Sequence, residues 1–406
     1  MIAVTAWEWI GLFIGMIVGG LAEAWGISNP EILIRLGKFQ DRLFIGCIAI
    51  AIGAGALALY GLAALGVSFH WGVKPDYVWG VALGAAIFGT GIAISGYVPG
   101  TIWMALGEGR RDAVYAVFGG LLGAASWTLI YQTPFGHWLV TYDNFGEIYF
   151  GGKVDTDLYV GFGIAFIWAI LMFGIAYMLP RYKGGKSCFY QSSHKNYKPT
   201  TAEEEQNIES AEVLQEGSSM PMGNGTTAEQ FNYHYTVSSD LFGKVMLTVG
   251  IIIGFTVVLE MFLHQILGES TTFSWIAAEL WLPASYWKYS EIVVTTIGWE
   301  PFSDIGTLFG AFLFSVFVTR RFQAFNKVLP PSWVSRFGNS EIKRAGGAFG
   351  GSFMMLLGAR MADGCASGHI LSGDLQMAVS SLEFFVIVII FLLIAVHLIY
   401  KTKRSE

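Results

Sequence analysis

Long apolar stretches separated by short polar connections dominate the chain, and their lengths set the fold class. Runs at 9–25, 43–65, 77–95, 112–130 and 158–179 reach or approach the roughly 20 residues an α-helix needs to cross a hydrocarbon slab, and four more follow at 241–267, 304–319, 345–357 and 375–400. The pattern predicts an all-α polytopic membrane protein with about nine transmembrane helices, whose termini lie on opposite sides. The first run ends in Ala22-Glu23-Ala24, which mimics a signal cleavage site, but no Lys or Arg precedes it. Without a basic n-region it reads as a retained helix.

Composition agrees: 54% of residues are hydrophobic and 13% charged, against about 25% charged in a soluble domain. Too little polar surface remains to clothe a soluble core. The net charge of −6 comes without a basic stripe, which argues against a nucleic-acid partner. Cys47, Cys188 and Cys365 are too scattered for a disulfide framework or a metal-ligand pattern, and no nucleotide-binding loop occurs. No cofactor, metal or catalytic centre is expected.

Charge also sets direction. Twenty of the 24 Lys and Arg residues fall in 26–42, 96–111, 180–244, 320–344 and the tail from Lys401, leaving only Lys74, Lys153, Lys288 and Arg360 in the alternate connections. A nine-helix path puts these two sets on opposite sides. The positive-inside rule then predicts an outer amino terminus and a cytoplasmic carboxyl terminus in the plasma (inner) membrane. Trp7, Trp9, Trp71 and Trp79 read as anchors at the lipid interface. The segment 181–240 is acidic and Ser/Thr-rich, so it predicts a disordered cytoplasmic linker, with Cys188 and His194 as solvated residues within it.

The halves flanking that linker echo each other. Gly15/Gly19 followed by Glu23 matches Gly250/Gly254 followed by Glu260, and Glu31-Ile32 with Gly37 and Asp41 loosely matches Glu291-Ile292 with Gly298 and Asp304. The closest echo is Gly96-Tyr97-Val98-Pro99-Gly100-Thr101 against Gly364-Cys365-Ala366-Ser367-Gly368-His369, each followed by a Gly and an acid, Gly107-Glu108 and Gly373-Asp374. The chain divides accordingly into a first transmembrane repeat (1–130), a connecting helix (131–180), the linker (181–240) and a second, inverted repeat (241–406). Paired glycine-rich breaks are the plan of many secondary transporters, whose site lies where the breaks meet near the midplane.

Each break reads as the start of a short re-entrant helix. Pro99 suits the first turn of one running toward Leu106, and Ser367 suits the cap of one running toward Leu371. Amide-rich helix starts facing inward favour an anion. Cys365 adds a soft, weak donor compatible with a sulfur-bearing substrate. Arg360 either attracts an anion to the mouth or pairs with Asp363, and His369 either donates to substrate or bonds a carbonyl. Glu260 and His264 share a helix face near its outer end, where they face inward or snorkel. Cys47, in a Gly/Ala-rich helix, reads as a small apolar filler.

The stretch Gly358-Ala359-Arg360-Met361-Ala362-Asp363-Gly364-Cys365-Ala366-Ser367-Gly368-His369-Ile370-Leu371-Ser372-Gly373 resembles the second-half signature of the YeeE/YedE sulfur-transport family, and 96–109, ending Leu106-Gly107-Glu108-Gly109, resembles its first-half signature. The resemblance implies nine spanning helices with several short ones, inverted halves, thiosulfate uptake, and a small cytoplasmic sulfur-carrier protein as partner beside membrane lipid. It implies that Cys365 guides the anion by transient S–H contacts. Family members usually carry a first-half cysteine at the position of Tyr97 or Val98, and this chain has neither. The expected pathway therefore comprises Arg360, Gly364, Cys365, Ser367, Gly368 and His369 with Gly96, Tyr97, Val98, Pro99, Gly100, Thr101 and Glu108. The expected function is uptake of a small sulfur-containing anion, most simply thiosulfate. Alternatives are another small anion or a selenium compound, a membrane-bound sulfurtransferase with a persulfide on Cys365, or a scaffold acting through the linker.

Overall fold

The computed structural model describes residues 6–150, 158–178, 243–319, 322–327 and 329–400. The linker, Cys188, His194, Lys153 and the tail from Lys401 lie outside the described residues. Within them the secondary structure is helical, apart from isolated β-bridges joining Tyr77 to Asn144 and Tyr149 to Ala378. The first half comprises α1 (Ala6–Trp25), short α2 (Pro30–Gly37), α3 (Leu43–Ala64), α4 (Val78–Ser95), short α5 (Pro99–Gly107) and α6 (Arg111–Tyr131); α7 (Pro134–Thr141) and α8 (Leu158–Met178) follow. The second half comprises α9 (Gly243–Leu263), short α10 (Thr271–Leu280) and α11 (Lys288–Thr296), α12 (Glu300–Leu313), α13 (Pro331–Phe337), α14 (Glu341–Met361) and α15 (Val379–Ile399). A π-helical turn over Phe314–Val318 extends α12, and a π-helix over Ala366–Gly373 lies between α14 and α15.

Among the described residues eight spans are long and apolar enough to cross a membrane. The ninth expected helix is α14, which carries Glu341, Lys343, Arg344 and Arg360 and packs against α4 and α6. Burial between helices lets it hold Arg344 and Arg360, charges that lipid would reject, while Lys343 is exposed and Glu341 half-buried at its start. It runs a turn beyond 345–357 at each end, with the Ser340 hydroxyl accepting the Lys343 N–H at 3.5 Å. The last helix starts at Val379 rather than 375, because Met377, at φ 59°, closes a turn onto Asp374 O. The sixth stops at Leu263 instead of 267, and the seventh begins at Glu300 instead of 304.

Helix pairing is symmetric under exchange of the halves. α1 lies along α12 as α9 lies along α3, α6 lies along α14 as α15 lies along α4, and α4 crosses α14. Glycines set the seams: a Cβ on Gly15 would come within 1.9 Å of Ser303 O, and one on Gly310 within 2.0 Å of Met16 O. Such close approach is how membrane helices gain packing without a hydrophobic drive. Gly250 and Gly254 serve the α9–α3 seam, against Cys47 O and Ala51 O. There Cys47 is 1% exposed, with Sγ 3.7 Å from Met246 O, which fits the small-filler reading. The exchange pairs α2 with α10, since each touches the second and third long helices of its own half and the last long helix of the other: α3, α4 and α15 for α2, and α12, α14 and α6 for α10. The sequence match of Glu31 with Glu291 therefore falls on non-equivalent helices, because Glu291 belongs to α11.

Candidate functional site

The first break is a turn and a restart. α4 ends at Gly96, whose φ of 75° and close contact with Pro30 both exclude a side chain. α5 starts with Pro99 at its first position, and Thr101 Oγ1 accepts the Val98 N–H at 2.9 Å. Tyr97 is fully buried and its hydroxyl donates to Asp112 Oδ1 at 2.9 Å. Asp112 also receives Arg344 Nη2 at 2.6 Å, and the same nitrogen donates to Ser95 O at 2.7 Å. Arg344 therefore clamps the end of α4 to α14 and α6. At the far end of α5, Glu108 accepts from Ser28 Oγ and pairs with Arg110 Nε at 2.5 Å, so it holds the exit turn.

The second break differs in helix type. Cys365 is the residue before an eight-residue π-helix, Ala366–Gly373, and no side chain caps its start. The expected Ser367 cap is absent: Ser367 sits inside the first turn, its Oγ 3.1 Å from Cys365 Sγ. π-helical segments leave the backbone ladder locally wide and recur at functional sites. His369 bonds a carbonyl, Nε2 to Ala362 O at 2.8 Å, while Nδ1 meets Ser381 Oγ at 3.2 Å and the ring stacks on Phe384. Both ring nitrogens are committed to holding the loop. A Cβ on Gly364 would strike that ring at 2.6 Å, whereas one on Gly368 would meet nothing within 4 Å.

Arg360, at the opposite end of α14 from Arg344, pairs with Asp363 as one expectation held, Nη2 to Oδ1 at 3.5 Å, but its stronger bonds lie elsewhere. Nε donates to Tyr289 Oη at 2.9 Å and Nη1 to Ser270 Oγ at 2.9 Å. Asp363 also meets Lys74 at 3.5 Å. The two arginines are sixteen residues apart on α14, so about 24 Å separates them along the helix axis. Each is buried with a tyrosine and an aspartate, Arg344 with Tyr97 and Asp112, Arg360 with Tyr289 and Asp363.

The two breaks meet. Val98 from the first and Ala366 and Ile370 from the second line one apolar cavity of about 30 Å³. On another side, the Glu269 carboxyl occupies the space that a Cβ on Gly100 would need, 2.0 Å from Oε1, and the Ser367 hydroxyl faces the same carboxyl. Glu269 lies in the connector before α10 and was not among the expected site residues; its only sequence signal is an acid in Glu269-Ser270-Thr271-Thr272 at a helix start. Glu300 accepts the Thr271 N–H at 2.6 Å and the Thr272 N–H at 3.2 Å, capping α10. Glu260 is 1% exposed, so it faces inward and does not snorkel. His264 instead stacks on Trp7 with ring centroids 5.1 Å apart. Trp7, Trp9 and Trp79 are exposed as anchors should be, while Trp71 packs edge-on against Tyr60.

Buried irregular backbone at the centre of a polytopic helix bundle, made by one break from each half, defines a membrane protein of transporter-like construction. A family model described as Sulphur transport matches residues 34–394, and the chain belongs to that family, the YeeE/YedE sulphur transporters. It is a multi-pass membrane protein of a sulfur-transport family. No curated protein matches the chain.

Proposed function

We propose that the chain takes up a small sulfur-containing anion, thiosulfate first, along a path between the two breaks and past Cys365. The observation that carries this is the convergence of Gly100, Ser367 and Cys365 at one buried point, in a chain of the Sulphur transport family. Cys365 offers a weak donor to a soft sulfur, Ser367 backs the thiol, and the space beside Gly368 lets a ligand approach the backbone. Tyr97–Asp112–Arg344 and Arg360–Tyr289–Asp363 stand at the two ends of α14 as inner and outer constrictions. The halves 1–130 and 241–406 act as inverted repeats around 131–180, because five crossings precede α9. With the charge asymmetry, the Arg344 end faces the cytoplasm of the plasma membrane, where a small sulfur-carrier protein receives the product.

A sulfurtransferase would be served by a base hydrogen-bonded directly to the Cys365 thiol. Among the described residues the hydrogen-bond neighbour of its Sγ is Ser367, and the His369 ring is committed elsewhere, so transport is favoured. The test is uptake of labelled thiosulfate into proteoliposomes holding the full chain, challenged with sulfate, sulfite and selenium analogues. Saturable uptake competed by the soft analogues supports the proposal, and equal competition by sulfate overturns its sulfur preference.

A further inference from the structure

The centre of the expected anion path is acidic. Glu269 touches Gly100 and faces Ser367, so it is wedged between the two breaks. Behind it stand Glu260 on α9 and Glu300 and Asp304 on α12, all buried. Glu300 is used, capping α10. Asp304 is 1% exposed and meets no hydrogen-bond donor but the Thr272 hydroxyl, and Glu260 Oε2 has no partner. Thr272, 2% exposed, presents its hydroxyl to that carboxyl from the first turn of α10.

The cations nearby do not match this acid. Arg360 spends its nitrogens on Tyr289, Ser270, Thr271 and Asp363. Lys74, on the α3–α4 connector, bonds Asp363. Among the described residues the Cys365 thiol also faces the cluster. Four buried carboxyls set against Arg360 and Lys74, both shared with Asp363, cannot all be ionised, since like charges in a dry site force protons onto some of them. An oxyanion also cannot pass an ionised Glu269, which only accepts hydrogen bonds. A protonated Glu269 presents an O–H that donates to the anion.

We propose that this protein is a proton–anion symporter, in which Glu269 takes up a proton before the anion reaches Cys365 and shares it with Glu260, Glu300 and Asp304. The proton enters from the outer side, binds a carboxylate oxygen, and leaves to the cytoplasm with the anion, so charge on the carboxyl is restored each cycle. This rests on the transport function proposed above and adds the coupling ion to it.

The experiment uses the full chain in vesicles with a pH dye in the lumen and the membrane potential clamped by potassium and valinomycin. Added thiosulfate should acidify the lumen, and an inward gradient of about one pH unit should accumulate labelled thiosulfate about tenfold per coupled proton. Glu269→Gln, a neutral isostere of the protonated acid, should abolish the proton influx that accompanies thiosulfate, read as the ratio of protons to thiosulfate entering at matched uptake. Thiosulfate uptake at constant luminal pH in the unaltered protein overturns the coupling while leaving the transport function standing, and that result does not depend on any variant folding. Proton influx undiminished in Glu269→Gln also overturns it. If thiosulfate, sulfite and sulfate all fail to enter, both proposals fall together.

Discussion

At the scale of single residues the two breaks make separable demands. Cys365 is 1% exposed with its thiol against Ser367 Oγ, so Cys365→Ala should lower thiosulfate uptake by about tenfold, roughly 1.4 kcal/mol, and Cys365→Ser, which nearly keeps the side-chain volume, should lower it as far with the melting temperature in detergent nearly unchanged. Uptake at the parental rate would return Cys365 to the role of a buried filler. Gly100 makes a steric demand instead. Gly100→Ala puts a methyl 2.0 Å from the Glu269 carboxyl, so the acid must leave its place between the breaks. Transport should fall in that variant, and Glu269→Ala in the same chain should relieve the stability loss without restoring proton movement. The breaks were legible from sequence because Gly, Pro and Thr have local duties there. Glu269 was not, because its importance comes from neighbours 169 positions upstream and 98 downstream in the chain, and no local pattern marks such a meeting.

At the scale of elements, Tyr97 and Val98 belong to different packing. Tyr97 stands in the Arg344 clamp, while Val98 lines the apolar cavity together with Ala366 and Ile370. The two positions are therefore not equivalent for restoring a thiol. Val98→Cys should raise thiosulfate uptake by adding a soft contact beside the second break, and Tyr97→Cys should impair it by releasing Asp112; labelled uptake at matched protein content separates them. The clamp itself has a large predicted cost of removal. Asp112→Asn leaves Arg344 buried beside one lost charge, which should cost about 3–5 kcal/mol, as breaking buried ion pairs does, read as a fall in the denaturation midpoint. Arg344→Gln in addition should recover part of it. Among the described residues eight of the expected helices are apolar enough to cross a membrane and α14 is a long helix that is not, yet the π-helix after Cys365 was not legible, since hydropathy carries no sign of an i to i+5 ladder. The Ser367 cap expected there belongs to an ordinary helix start.

The whole molecule is organised by an exchange that sequence markers showed only in part. Gly15/Gly19 and Gly250/Gly254 do sit on corresponding seams, α1–α12 and α9–α3, and the Gly96 and Gly364 breaks do follow the crossing pair α4 and α14. If all nine helices cross, the five that precede α9 turn the second half over, so the Arg344 and Arg360 ends of α14 face opposite compartments. The charge division then fixes which is which: Lys74 and Lys288 should lie outside, and position 188 in the linker should lie in the cytoplasm. Impermeant thiol labelling of intact cells, on single-cysteine variants at 74, 188 and 288 in a chain with its native cysteines replaced, measures this directly. Labelling at 74 and 288 with protection at 188 until the membrane is opened is the expected result. Position 288 follows α9 and α10 whereas 188 precedes α9, so labelling of both from one side would remove the crossing by α9. Without that crossing the second half is not inverted, and the two breaks would approach the centre from the same compartment, which no alternating-access path between Tyr97 and Cys365 allows.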